Sequence, residues 1–381
     1  MMLFSRADDS LLSRWWWTVD RWLLLALGML LATGLVLTFG ASTGAAARLG
    51  LPPFYFAERQ VIYALLAFAA LLALSLLHVR AVRRFALLLF AGSMLATLAT
   101  LFSDEAYNGA TRWLDLGGLS IQPSEFLKPA LAIVSAWLLA AEIEDPAVPG
   151  RQAAALVVML AAILLLMQPD FGQTVLVCAT FALQLVLAGL PGIWIAGLGV
   201  SGIAGLVAAY LLLPHVAERI SGFLDPASGD NWQVDQAIMA FRSGGLFGRG
   251  PGEGAVRQHL PEAHTDYVFA VAGEEFGALA CLAIIAIFAV IVIRGLIRLA
   301  DEEDPFRVLA TAGLLAVFGL QTLINIGVNL ALLPSKGITL PFISYGGSSM
   351  LALGLTMGMV LALSRGNRAG RHLHFPARRW A

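Results

Sequence analysis

FGQTVLVCATFALQLVLAGLPGIWIAGLGVSGIAGLVAAYLLL, residues 171–213, contains no charged side chain, and only Pro191 and Gly192 punctuate it. A helix needs about 20 apolar residues to cross a bilayer, so a run of this length reads as two crossings that turn at Pro191–Gly192. Similar runs extend outward in both directions, at 22–40, 60–78, 85–102, 124–141 and 153–169 before it, and at 268–293, 306–333 and 349–364 after it. With the two crossings at 172–190 and 192–213, the chain reads as an all-α polytopic membrane protein of about ten transmembrane helices. Residues 1–381 then form one integral membrane domain. The last run is short and needs tilt or close neighbours to span.

Composition agrees. Of 381 residues, 59% are hydrophobic and 13% charged, about half the charged share of a soluble domain. The net charge of −1 identifies no partner, and a nucleic-acid partner is not expected. Cys178 and Cys281 lie inside apolar runs, with neither disulfide nor metal-ligand spacing. The N-terminal stretch is long and acidic for a signal peptide, so the first run is expected to be a retained anchor.

Of the 24 Lys and Arg residues, fifteen fall on one side and nine on the other when the N-terminus is placed in the cytoplasm. Four of the nine sit in the long connection 214–267, where the rule weakens. An even number of crossings puts both termini in the cytoplasm and that connection, between the seventh and eighth helices, outside. Segments 103–123 and 334–348 fall outside with it, so the unusual polar sequence gathers on one face.

Four stretches carry that polarity. In HLPEAHTDYVFAVAGEEFG, residues 259–277, Asp266 enters the eighth crossing beside Glu262, His259 and His264. Ala270, Gly273 and Gly277 share its helical face, which leaves room for a close neighbour or a groove. The positive helix end favours the charged carboxylate, and an interfacial acidic cap is the plain alternative. The histidines lack zinc spacing. Mg²⁺ or Mn²⁺, which need only one or two carboxylates plus substrate phosphate, stays open.

In NGATRWLDLGGLSIQPSEFLKP, residues 108–129, Arg112 and Lys128 are candidate phosphate holders. Glu125 stands one helical turn from Lys128, and Ser124 is the expected N-cap. Snorkelling at the membrane border competes with a binding role. In QPDFGQT, residues 168–174, Asp170 occupies a tight reversal, where an ionisable group is either functional or a turn former. In LLPSKGITLPFISYGGSS, residues 332–349, Lys336, Ser344 and Tyr345 lie in a punctuated loop that reads as re-entrant. Asn325 and Asn329, four apart in the ninth crossing, are not expected to face lipid.

SGGLFGRGPGEG, residues 243–254, lacks the strand and GK[ST] ending of a phosphate loop; pliable backbone near a bulky ligand fits better. The upstream piece NWQVDQAIMAFRSGG is expected to rest on the membrane surface as a short helix. A transporter would distribute polarity through the midplane, with repeats and broken helices. Charge crowded on the outer face instead suits an extracytoplasmic enzyme acting on a lipid-borne phosphate.

These motifs together resemble the SEDS family (shape, elongation, division and sporulation) of peptidoglycan glycosyltransferases, along nearly the whole chain. PEAHTD, PSKGITLPFISYGG and AVAGEEFG are more similar to the division-associated FtsW branch than to the RodA branch. Tyr267 stands where Phe is common. The resemblance implies polymerisation of lipid II into β-1,4 glycan strands by an inverting reaction, with Asp266 as general base. It assigns Arg112, Glu125, Lys128 and Asp170 to the site; His264, Lys336 and Ser344 complete the candidate substrate-binding set. It further implies a class B penicillin-binding protein (the division transpeptidase) and other divisome proteins as partners, at the septal inner membrane. A lipid II flippase and a non-catalytic divisome scaffold are the alternatives.

Overall fold

The computed structural model describes residues 10–102, 112–115, 117, 120–224, 232–256, 260, 262–334 and 337–365. The apolar runs fold as helices α2 (Arg21–Arg48), α3 (Tyr55–Ser75), α4 (Val79–Thr100), α5 (Pro123–Glu144), α6 (Gly150–Met167), α7 (Phe171–Leu187), α8 (Gly192–Leu212), α11 (Val268–Leu299), α12 (Pro305–Asn329) and α13 (Gly347–Leu363). Eight of these are long and apolar enough to cross a membrane, and α7 and α13 are shorter apolar helices. Three short helices complete the set: α1 (Leu11–Thr18), α9 (Pro214–Leu224) and α10 (Trp232–Gly244). An antiparallel pair of two-residue strands, Leu114–Asp115 and Ser120–Ile121, precedes α5.

Helices α5, α12 and α13 form the centre. The shortness of α13 follows from its place: nearly all its residues are buried by protein, so its length need not match the bilayer. Gly354 and Gly358 set its spacing from α3. A Cβ at these positions would lie 2.4 Å from the Ala67 carbonyl oxygen and 2.7 Å from that of Leu71, so the two backbones touch. Gln184 ties α7 to both central neighbours. Its amide donates to the carbonyls of Ala132 and Leu309 at 2.7 and 3.2 Å, and its oxygen accepts from Ser135 at 2.7 Å. By contrast α8 buries only Ala209 and stands at the periphery beside α9.

Arginines satisfy the orphan carbonyls at the helix ends opposite the polar face. Arg307 donates to Leu363 O, and Arg365 to Leu76 O and Leu77 O. Asp20 caps α2 and receives Arg294 and Arg298 from the far end of α11.

Two departures from helical regularity shape the opposite end. First, α11 is broken at Gly277 (φ 83°, ψ 177°). The loop after α10 fills the break. Arg249 N and Gly250 N donate to the freed carbonyls of Glu274 and Glu275 at 3.0 Å, while Ala278 N donates to Gly245 O at 2.9 Å. Gly244 and Gly248 stand where backbones touch: a Cβ on them would meet Gly273 O at 2.0 Å and Glu275 O at 2.2 Å. A broken helix is tolerated at membrane depth because these groups are re-satisfied. Helix α10 correspondingly packs on α11, burying Val234, Ala237 and Ala240, instead of lying free on a membrane surface.

Second, residues 337–346 turn back into the protein. Ile338, Leu340, Phe342 and Ile343 are buried, and a Cβ at Gly34, near the middle of α2, would lie 2.2 Å from Phe342 O. The loop is re-entrant, with protein covering its irregular backbone.

Candidate functional site

Asp266 lies two residues before α11, in a turn where Tyr267 N and Thr265 N both donate to Glu262 O. Its backbone carbonyl is held from α12: Asn325 and Asn329 donate to it at 2.9 and 2.8 Å. Asn325 also donates to Ile338 O at 2.7 Å, which fixes the re-entrant loop to the same helix face. Ser344 donates to Thr265 O at 2.5 Å and accepts from Leu340 N at 2.8 Å, and Tyr345 N donates to His264 O at 2.8 Å. The Asp266 turn and the re-entrant loop therefore form one unit. A Cβ at Gly337 would sit 3.6 Å from Asp266 Oδ2, so the carboxylate faces that loop.

Burial pushes the Asp266 carboxyl up to about 7, and the Glu262 carboxylate bonded to it adds to the rise; Arg219 of α9 opposes both. This reverses the expectation from the helix dipole. Helix α11 begins only at Val268, and partial burial beside a second acid outweighs its positive end.

His264 stacks on Phe56 at 4.3 Å between ring centroids, with Tyr345 at 5.5 Å. Burial, and secondarily Arg48, lower its pKa to about 4, so the ring is neutral and cannot offer a cation to phosphate. Arg48 itself donates to Leu260 O at 2.7 Å.

The other candidates gather beneath, at the start of α5. Lys128 and Glu125 are 3% and 4% exposed, which removes them from solvent. Lys128 Nζ lies 3.0 Å from both Glu125 oxygens and donates to Gln321 Oε1 at 2.9 Å. Gln173 Nε2 donates to Glu125 Oε1 at 2.8 Å. Each of the three ammonium protons has an internal acceptor, so Lys128 organises the floor of the site. Helix α5 starts with Pro123 in its first turn, Gln122 occupies the cap position, and Ser124 lies inside the helix, where its hydroxyl caps nothing.

Asp170 caps α7 by accepting from Gln173 N at 3.4 Å, and it lies 3.9 Å from Arg112 Nε. Burial raises its pKa, against the pull of Arg112. Arg112 donates to Gln168 O at 3.2 Å and to Pro169 O, yet its side chain keeps 21% exposure. Among the described residues, it is the sequence-predicted cation that keeps some solvent exposure. Lys336 and His259 lie outside the described residues.

Helix α12 joins the two groups. Gln321, Asn325 and Asn329 recur every four residues along one face. Gln321 accepts from Lys128 and donates to Thr339 O at 3.1 Å, and Thr339 Oγ1 lies 2.8 Å from Ser349 Oγ. Lys128 and the Asp266 backbone are therefore tied to successive turns of one helix. Sequence reading flagged the two asparagines but missed Gln321, whose signal was the same four-residue spacing in an apolar run. Arg219 gave no such signal, because only the fold brings α9 to α11.

Among the described residues no group of three or more His, Cys, Asp or Glu side chains gathers as a metal site. Asp266 and Glu262 are the adjacent carboxylates that Mg²⁺ or Mn²⁺ would use together with substrate phosphate.

Residues 21–369 match the family model for FtsW, RodA and SpoVE, described as "Cell cycle protein". The chain belongs to the FtsW/RodA/SpoVE family. A relative from Caulobacter vibrioides, "Probable peptidoglycan glycosyltransferase FtsW", is 46% identical over 363 residues, covering 95% of this chain and 93% of that one. Among solved structures, a chain from "Structural coordination of polymerization and crosslinking by a peptidoglycan synthase complex" superposes with a TM-score of 0.74 at 27% identity. That match covers 92% of this chain and 98% of that one. The rod shape determining protein RodA of Thermus thermophilus gives 0.67 at 27% identity, with the same coverage.

Proposed function

We propose that this multi-pass membrane protein polymerises lipid II at its outer face, with Asp266 as the general base. Peptidoglycan glycosyltransferase activity comes with the FtsW-type relatives; the substrate, the base and the geometry of attack are the proposal. The observation that carries it is a partly buried carboxylate with its pKa raised to about 7, held through its backbone carbonyl by two asparagines of α12 and facing the re-entrant loop at Gly337. A base works best when its pKa lies near the working pH.

The donor sugar leaves pyrophosphate from an α linkage, and the product is β-1,4, so a single displacement inverts the anomeric carbon. Asp266 takes the proton from the attacking 4-hydroxyl as the new C–O bond forms. Pyrophosphate departs as an anion and needs no acid, unlike the leaving sugar of a glycosidase. Arg112, with its exposed edge, offsets the charge that develops there, while Lys128 and Glu125 keep the floor in register.

The family and the synthase-complex neighbour support assembly with a penicillin-binding protein, here a class B division transpeptidase within the divisome, at the septal inner membrane. In this reading the polar face lies outside and both termini lie in the cytoplasm.

Fluorescent lipid II supplied to the purified full chain tests the function. Asp266→Asn is expected to lower turnover at least ~100-fold with partner binding retained. Wild-type turnover in D266N would remove the base role, and lipid II translocation without polymer would favour a transporter.

A further inference from the structure

The start of α11 contains an exchange of hydrogen-bond partners. In a regular helix Ala270 N would donate to Asp266 O, four residues back. Here Ala270 N donates instead to Tyr267 O at 3.0 Å and to the side-chain oxygen of Asn329 at 3.1 Å. The same Asn329 carboxamide donates from Nδ2 to Asp266 O at 2.8 Å. It has the donor and acceptor of a peptide unit, and it stands where the helical bond would otherwise close. Asn325 takes the second lone pair of Asp266 O at 2.9 Å. Asn329 Nδ2 also donates to the Asn325 backbone carbonyl at 2.9 Å and lies 3.3 Å from Asn325 Oδ1, which ties the two side chains together.

We propose that Asn325 and Asn329 are positioning residues that hold Asp266 out of α11 so that its carboxylate faces the re-entrant loop at Gly337, where it would meet the acceptor hydroxyl. This rests on the reading of Asp266 as the base. Without the inserted carboxamide, Ala270 N and Asp266 O would close the next helical bond, and α11 would extend backward by a residue or two. Asp266 would then turn with the helix surface and leave the loop at Gly337. Both asparagines are fully buried, on the α12 face that also carries Gln321. An unmet amide buried there is costly, and here each carboxamide is satisfied through the Asp266 carbonyl. Among the described residues, the charged and titratable groups acting on Asp266 are Glu262 and Tyr267 of its own turn and Arg219 of α9, and the asparagine bonds run to the Asp266 backbone. The pair acts on the backbone alone.

The test is lipid II polymerisation by the full chain, with kcat, KM and the pH profile measured for Asn329→Leu, Asn325→Ala and Asn329→Gln, each alone and combined with Asp266→Asn. A positioning role lowers kcat ~10–100-fold in N329L, as loss of a well-aligned base would, with KM nearly unchanged. It also moves the acidic limb of the pH profile as the carboxylate changes surroundings. N325A, which keeps the inserted carboxamide, falls less, and N329Q recovers part of the loss. Each asparagine variant adds nothing to the residual rate of D266N, because it acts through that carboxylate.

Equal losses in the wild-type and D266N backgrounds, or an unchanged kcat and pH limb in N329L, would overturn the role while leaving the base intact. Wild-type turnover in D266N overturns the base itself and the positioning role with it. If N329L does not fold, N325A and N329Q still decide between these outcomes.

Discussion

Gly277 and Gly248 meet backbone to backbone: a Cβ on Gly277 would lie 2.4 Å from Gly248 N, and one on Gly248 would lie 2.2 Å from Glu275 O. This contact joins the long outer connection to the break in α11, and through it to the half-helix that begins beside Asp266. Both residues have positive φ, 83° and 82°. With ψ at 177°, Gly277 occupies a region that essentially only glycine enters.

Gly277→Ala therefore meets both backbone strain and collision. The expected destabilisation is about 2–5 kcal/mol, read as a lower melting temperature in detergent. Gly92, whose Cβ would meet nothing within 4 Å, is the control, and Gly92→Ala should leave melting nearly unchanged. Equal behaviour of the two variants would mean that the loop does not brace the break.

The pH dependence of polymerisation follows from Asp266. Its ionised form is the active base, and its pKa is raised to about 7 by burial and then by Glu262. Activity should thus rise with pH through about 7, well above the ordinary carboxylate range. Glu262→Gln removes the second cause and should shift this limb to lower pH. An acidic limb that stays in place in E262Q would count against the pairing.

Lys128 and Glu125 form a buried ion pair, so removing one partner strands the other charge. Lys128→Met or Glu125→Gln alone should cost about 3–5 kcal/mol. The double variant E125Q/K128M should be more stable than the sum of the two single losses predicts, because no buried charge remains unpaired. If the double variant melts normally and still polymerises lipid II at near wild-type KM, Lys128 belongs to the floor and not to the phosphate site. A large KM increase with normal melting would return it to substrate binding.

The membrane class and the ten apolar helices were legible because hydropathy over about 20 residues is a local property. Asp266, Glu125 with Lys128, and Asp170 were legible because ionisable groups bordering apolar runs are costly and conspicuous. Partner exchange was not. The link from Lys128 to Gln321 spans 193 positions and that from Asn329 to Asp266 spans 63, and no spacing rule reaches so far. The break at Gly277 was hidden for a related reason. Glycine on one helix face reads equally as close packing or as a break, and only the inserted loop, which supplies the missing hydrogen bonds, decides for the break.

At the opposite end of the bundle, Asp20 offers a stability test separate from catalysis. Its carboxylate caps α2, accepting from Trp22 N and Leu23 N at 3.1 and 3.2 Å, and it receives Arg294 Nε and Arg298 Nε at 2.8 and 2.9 Å. Burial alone would raise its pKa. The Arg294 bond, the Leu23 amide and the two guanidinium charges together outweigh burial and lower it from 3.8. A carboxylate depressed in the folded state stabilises above its unfolded pKa and loses that contribution as pH falls through the folded value. The melting temperature of the wild type should therefore drop between pH 5 and pH ~3 more steeply than that of Asp20→Asn, which keeps an acceptor for the cap but has no charge to lose. Both arginines are about one-third exposed, which screens the pair. Asp20→Ala should accordingly cost about 1–3 kcal/mol at neutral pH, with Asp20→Asn in between. Parallel pH–melting curves for wild type and D20N would show that the arginines contribute nothing through this carboxylate and that only its capping bonds matter.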